Sequence, residues 1–246
     1  MIENLRIATW THSSYDDVWP VYYGQFSRHA NFFNHSLILN ERVENLDEDC
    51  RQIVNNENDP FYKRMILSLN EIEEDFIIYM QEDFILYGDV VEEKIKNLQC
   101  FLEDSDYSFI RLMKSGVEGG SVIDENMGLH EVPNSSQYLY CLQATMWKRK
   151  HLMKLFSHYS PVSMVDAELR GSHACRDLGI EGCYVYNQEP KRGRLHYDSK
   201  VFPYISTALY GGSYGGPSRW QTSLYPNEIR DILKIYNIDP SIRGEI

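Results

Sequence analysis

The chain has 246 residues, 43% of them hydrophobic, enough to bury a substantial core and to argue against disorder over one large domain or two small ones. Its 24 Lys and Arg against 36 Asp and Glu leave a formal net charge of -12, which disfavours a nucleic-acid partner while leaving room for a local basic site for a small phosphate ligand. No apolar run approaches the roughly 18–20 residues of a membrane span, and the opening "MIENLRIATW" has neither the apolar stretch nor the small-residue cleavage site of a secretory signal.

There is no internal repeat and no low-complexity linker, so the chain reads as a single domain over 1–246. "LRIATW" (5–10) reads as a first strand. Asp16 or Asp17 then opens a helix through His29, with Pro20 in its early part. "SLILN" (36–40) is a second short strand, and the acidic, Asn-rich span 41–58 a surface loop with room for a short helix. Asp59-Pro60 is an N-cap followed by Pro at the first helical position, and Phe61, Met65, Leu69 and Ile72 continue at helical spacing. "DFIIYM" (75–80) is near-continuously apolar, as in a strand buried on both faces of a parallel sheet.

Two adjacent acids, Glu82 and Asp83, follow. Val91, Ile95, Leu98 and Leu102 give the next helical stripe, and "YSFIRLM" (107–113) the next strand. The order β-α-β-α-β-α-β favours an α/β domain with a mostly parallel central sheet flanked by helices. Beyond Ser115 the pattern changes. "YLYCLQATMW" (138–147) reads as a strand, "KRKHLMKLF" (148–156) and 166–178 as helices, and Ile229, Ile232, Leu233 and Tyr236 mark an amphipathic helix. The five cysteines, Cys50, Cys100, Cys141, Cys175 and Cys183, are odd in number and form no CxxC pair, so reduced thiols in a cytoplasmic protein are expected and a structural zinc is not.

Ligands of open α/β sheets bind beyond the carboxyl ends of the strands, where Glu82 and Asp83 stand. Carboxylates there can hold Mg²⁺ or Mn²⁺, or simply cap a turn. Lys114 and Ser115 follow the 107–113 strand at the same kind of position. Lys191, Arg192 and Arg194 form a basic run suited to a diphosphate, or a solvated loop. In "SMVDAELRGS" both Asp166 and Glu168 are available as a base, although Ser163-x-x-Asp166 also matches a capping box.

Four segments together resemble GT-A fold glycosyltransferases, of the small nucleotide-sugar enzymes of bacteria and large viruses. "IATWTHSSYDDVWPVYYGQF" resembles their first strand, nucleotide-facing loop and first helix. "YMQEDFIL" stands in the place of their acidic metal motif, with Gln-Glu-Asp where Asp-x-Asp is usual. "VDAELRGS" resembles the segment carrying the catalytic acid, and "RGRLHYDSKVFPYISTALYGG" the donor-side segment. The resemblance implies a Rossmann-like GT-A domain with a nucleotide-sugar-binding half (1–115) and an acceptor half (116–246).

It further implies a metal-dependent, inverting sugar transfer from a nucleotide-diphosphate sugar to a hydroxyl acceptor, a free, lipid-linked or protein-linked glycan, with Mn²⁺ or Mg²⁺ as cofactor. Asp83 would hold the metal and Glu82 support it. Glu168 would be the base, with Asp166 second. His196 is the counterpart of a metal-ligating histidine, or a satisfied loop histidine. Thr9, Thr11 and His12 would face the base and ribose, or contribute loop polarity alone. The Tyr- and Gly-rich "ALYGGSYGGPSRW" is a lid, with Tyr210, Tyr214 and Trp220 able to stack on sugar or base, or a structural wrap. A nucleotidyltransferase, a metal-dependent hydrolase and a non-catalytic carbohydrate-binding module are the rivals. The first would normally place a Gly-rich loop after the first strand, where "WTHSSYDD" has no glycine.

Overall fold

The computed structural model describes residues 2–44, 50–211 and 218–246. In chain order its elements are β1 (Leu5–Trp10), α1 (Trp19–His29), β2 (Asn34–Leu39), β3 (Cys50–Val54), α2 (Phe61–Asn70), β4 (Phe76–Gln81), β5 (Ile85–Leu86) and α3 (Glu92–Asp104). There follow β6 (Phe109–Arg111), β7 (Val122–Asp124), β8 (Leu129–Glu131), β9 (Thr145–Lys148), α4 (Arg149–Tyr159), α5 (Met164–Leu178) and β10 (Gly182–Val185). Short pairs β11 (Lys191–Arg192), β12 (His196–Tyr197), β13 (Tyr204–Ile205), β14 (Leu209–Tyr210) and β15 (Arg219–Trp220) lead to α6 (Pro226–Ile235).

One nine-stranded sheet, in the order β3-β2-β1-β4-β9-β6-β10-β8-β7, runs through both halves of the chain. β3, β2, β1 and β4 are parallel neighbours. β9 is antiparallel to both β4 and β6, and β8 is antiparallel to β10 and β7. The expected α/β sheet is therefore present, with a mixed centre: β9 enters between two strands that point the same way.

Burial on both faces makes β4 central. Ile78 and Met80 pack with Tyr22 and Phe26 of α1 and Ile95 and Leu98 of α3. Ile77 and Tyr79 point the other way, to Phe61 and Met65 of α2, Leu152 and Phe156 of α4, and Ala167 of α5. A period-2 alternation inside an all-apolar run is what a strand between two helical layers requires. A third cluster joins α6 to the start of α1 through Val18, Val21, Trp220, Tyr225 and Ile229.

Several boundaries differ from the sequence expectations. Span 41–58 contains the edge strand β3, which pairs in parallel with β2; residues 45–49 of that span lie outside the described residues. α1 begins at Trp19 rather than at Asp16 or Asp17, after a 3-10 turn at Ser13–Tyr15 capped by His12. α2 begins one residue later than expected, with Pro60 as N-cap. Its first N–H groups donate to the carbonyls of Val162 and Pro161, and Asp59 pairs with Lys63 at 2.7 Å instead of capping.

The strand expected at 138–147 is only β9, because side chains take up the preceding peptide groups. Arg111 donates to the carbonyls of Tyr138 and Leu139, and the Ser172 hydroxyl accepts the Tyr140 N–H at 3.0 Å. Among the described residues no cysteine is joined in a disulfide. Among the described residues no helix is long and apolar enough to cross a membrane.

Candidate active site

β4 ends at Gln81 and delivers Glu82 and Asp83 to the carboxyl-end edge of the sheet. A cavity of about 510 Å³ opens there. Its walls include Gln81, Glu82 and Asp83 after β4, Tyr15 after β1, Tyr138, Leu142 and Gln143 before β9, Glu168 and Leu169 on α5, and Arg194 and His196 around β12. Residues more than a hundred positions apart meet because β4, β9 and β6 are sheet neighbours.

The acid pair is buried, with Glu82 only 8% exposed. Burial, then the neighbouring Asp83 carboxylate, pushes the Glu82 carboxyl above the ordinary range. Thr11 binds it through its hydroxyl, and the Trp19 indole N–H donates to that hydroxyl at 2.8 Å. Burial likewise raises Asp83, against hydrogen bonds from its own N–H and that of Leu209. The Asp83 Oδ1 atom is buried and has no hydrogen-bond partner. A buried carboxylate oxygen left unpaired beside a second carboxylate is costly unless a cation meets it.

Across the cavity, Glu168 keeps contact with solvent at the mouth while the surrounding protein raises its pKa, opposed by a hydrogen bond from the Leu142 N–H. α5 comes this close because of Gly171. A Cβ there would sit 2.3 Å from the ring of Tyr140, which is itself buried. Burial lowers the His196 imidazole to about 4, so it is neutral near pH 7 and has lone-pair density to offer. Its backbone bridges to Ser115. Arg194 is exposed on the wall and has no ion-pair partner among the described residues.

Of the residues named from sequence, the structure brings Glu82, Asp83, Glu168, Arg194 and His196 into one cavity, with Thr11 directly behind Glu82. Thr9, His12, Lys114, Arg192 and Asp166 do not line it. Thr9 is fully buried, 2.6 Å from Tyr22 Oη and 2.8 Å from His35 Nε2, because strand alternation turns it into the core. His12 caps the 3-10 turn and pairs with Glu57 at 2.5 Å. Lys114 lies between the rings of Tyr186 and Tyr197, 4.5 and 4.9 Å from their centres. Arg192 is committed to Asp198 at 3.0 Å and Glu228 at 2.8 Å, over Tyr225.

Asp166 serves the start of α5, with its carboxylate reaching one residue past the Ser163 cap. Its N–H donates to Ser163 Oγ at 3.1 Å, and its carboxylate accepts the Val162 N–H at 3.0 Å. In the Tyr- and Gly-rich segment Tyr210 lines the cavity, whereas Trp220 is 1% exposed within the α6 cluster and has no face free to stack. Tyr214 lies outside the described residues. The sequence reading missed Tyr15, Tyr138 and Gln143. Tyr15 lay within the quoted first loop; the other two carry no local signal.

Among the described residues, no three His, Cys, Asp or Glu side chains converge on a point that would hold an ion. The unpartnered, buried Asp83 oxygen is nonetheless the kind of donor taken by a hard divalent cation that keeps several waters.

No family model matches the chain, and no curated protein matches it. Solved structures with a similar fold include S. aureus TarS 1-349, at 13% identity and a TM-score of 0.48 over 96% of this chain and 66% of that one. A cytidylyltransferase from Leptospira borgpetersenii is similar at 12% identity and a TM-score of 0.46 over 98% of this chain and 97% of that one. The bifunctional IspDF of Campylobacter jejuni aligns at 13% identity and a TM-score of 0.45 over 75% of this chain, which spans 49% of its length. TarS 1-349 has also been solved in complex with UDP-GlcNAc.

Proposed function

We propose that the chain is a metal-dependent glycosyltransferase that moves a sugar from a nucleotide-diphosphate sugar to a hydroxyl acceptor with inversion. The observation that carries this reading is the buried acid pair with the orphaned Asp83 oxygen, facing Glu168 across one cavity. The cavity volume of about 510 Å³ lies within the range of small-molecule sites. A divalent cation, Mn²⁺ or Mg²⁺, held by Asp83 with His196 beside it, would neutralise charge on the departing diphosphate.

The chain's own residues then have defined tasks. Glu82, anchored by Thr11, stands beside Asp83 with its carboxyl held above the ordinary range, and a bound cation would favour its ionised form. Arg194 offers a guanidinium to phosphate oxygens at the wall. Glu168, its basicity raised by the protein around it, accepts the proton of the acceptor hydroxyl as that oxygen forms its bond to the anomeric carbon. The bond from that carbon to the diphosphate breaks, and its electron pair leaves on the phosphate oxygen. Asp166 is occupied in capping, which favours Glu168 as the base.

A thermal-shift screen of nucleotide sugars and nucleoside triphosphates, with Mn²⁺ and with a chelator, tests this. Binding to the native state raises its apparent stability. A nucleotide sugar should raise the midpoint only with the metal and lose this effect in Asp83→Ala. A shift confined to triphosphates would move the assignment to nucleotidyl transfer. Binding that is metal-independent and unchanged in Asp83→Ala would overturn the metal assignment.

A further inference from the structure

Residues 241–246 run beside the 220–223 segment, of which Gln221 lines the cavity. They are held there by backbone pairing. The Trp220 N–H donates to the Gly244 carbonyl at 2.9 Å, the Ile246 N–H to the Trp220 carbonyl at 3.0 Å, and the Ser223 N–H to the Ile246 carbonyl at 2.9 Å. This strap brings Arg243 to the loop that follows β1. The Arg243 Nε donates to Asp17 at 2.7 Å, one terminal nitrogen to Ser218 Oγ at 2.5 Å, and the other to the Ser14 carbonyl at 3.4 Å.

The guanidinium also stands 5.2 Å from the centre of the Tyr15 ring. Its side chain is 16% exposed. One half-buried cation therefore ties two segments that flank the cavity. Tyr15 belongs to one and lines the wall; Ser218 and Gln221 belong to the other, and Gln221 also lines it. The Ser218 hydroxyl closes the link by donating toward the Tyr15 oxygen. Arg243 is also within electrostatic reach of Glu82.

We propose that Arg243 is a positioning residue of this site, fixing Tyr15 and the 218–221 segment at the cavity mouth and supplying the fixed positive charge that balances the acid pair. The proposal rests on the reading of the cavity as a cation and diphosphate site. Its consequence follows from the sign of the charge. A fixed cation beside the acids opposes binding of a free divalent cation and favours binding of a diphosphate. A purely structural clamp would affect both ligands in the same direction.

The test uses the full chain with two probes: Mn²⁺ alone, titrated by electron paramagnetic resonance, and inorganic pyrophosphate, titrated calorimetrically with saturating Mg²⁺. Arg243→Gln should bind Mn²⁺ roughly 3- to 10-fold more tightly and pyrophosphate roughly 3- to 10-fold more weakly, the scale of one partly screened charge. Arg243→Lys keeps the charge and loses the fork, so it should leave Mn²⁺ affinity close to wild type and weaken pyrophosphate less than Arg243→Gln does, which guards against misreading a misfolded variant. Weakening of both probes in Arg243→Gln, no change in either, or Lys behaving like Gln would overturn the proposal. If wild type binds both probes and Asp83→Asn abolishes Mn²⁺ binding, such a failure belongs to Arg243 alone. If wild type binds neither probe, the cavity reading falls and the proposal falls with it.

Discussion

Replacing Asp83 by Asn should stabilise the metal-free protein near neutral pH. The carboxylate is buried, keeps hydrogen bonds from its own N–H and that of Leu209, and leaves Oδ1 without a partner beside the buried Glu82. An unsatisfied buried acceptor costs about 1–3 kcal/mol, and more when charged. Asn keeps the shape and can still accept the Leu209 N–H, so a gain of about 1–3 kcal/mol is expected from removing the charge. For a chain of this length each kcal/mol moves the midpoint by about 2–4 °C.

The sign with pH is fixed by linkage. The folded-state pKa values of Asp83 and Glu82 are raised above their unfolded ones. The stability tied to their protonation is complete below about pH 4 and is lost as pH rises through the folded values. The advantage of Asp83→Asn should therefore be small near about pH 5 and largest near about pH 8. Thermal melts in chelator at both pH values provide the assay, and added Mn²⁺ should raise the wild-type midpoint but not the variant's. A variant less stable than wild type near neutral pH, or a gain independent of pH, would refute the reasoning.

Glu168→Gln should lower transfer by ~10²–10⁴-fold, the usual worth of a general base, while nucleotide-sugar binding by thermal shift is retained. Asp166→Ala should instead cost about 0.5–1.5 kcal/mol of stability by removing the acceptor of the Val162 N–H and a negative charge from the first turn of α5 and leave turnover largely intact; the reverse result would exchange the two roles. Gly171→Ala should destabilise by about 1–3 kcal/mol in denaturant titrations despite better helix propensity, because the new Cβ meets the buried Tyr140 ring at 2.3 Å. The buried His35, held at about 3 by burial and then by Arg6, cannot take up the proton that the unfolded chain binds near pH 6.5. It should therefore cost about 2 kcal/mol of stability between about pH 7 and pH 5, and the wild type should show that slope in excess of His35→Gln.

The parts of the fold legible in sequence were those whose signal is local. β1, β4, α3 and α4 carry their apolar spacing within a few residues, and α5 begins at Met164, two residues ahead of the expected 166–178, behind the Ser163 cap. β3 was missed because its segment is polar and edge-exposed, with only Ile53 fully covered. The start of α2 was misplaced because its cap is supplied by the carbonyls of Pro161 and Val162, a hundred residues away in sequence. The long 138–147 strand was truncated by Arg111 and Ser172, whose hydrogen bonds replace a ladder. Within the site, residue type alone cannot say whether Arg192 or Arg194 meets a ligand: Asp198 and Glu228 occupy the first and leave the second on the wall.

The amino-acid sequence by itself determined that an apolar central strand ends in two acids at the ligand-binding edge of an α/β sheet, since burial on both faces demands that composition. Only the tertiary structure decided what those acids face. Insertion of antiparallel β9 beside β4 and the close approach of α5 at Gly171 set Glu168 across from Asp83, and the pairing of 241–246 with Trp220 brought Arg243 to Tyr15. Such contacts join positions far apart in the chain, and their energies depend on distances that no local spacing encodes.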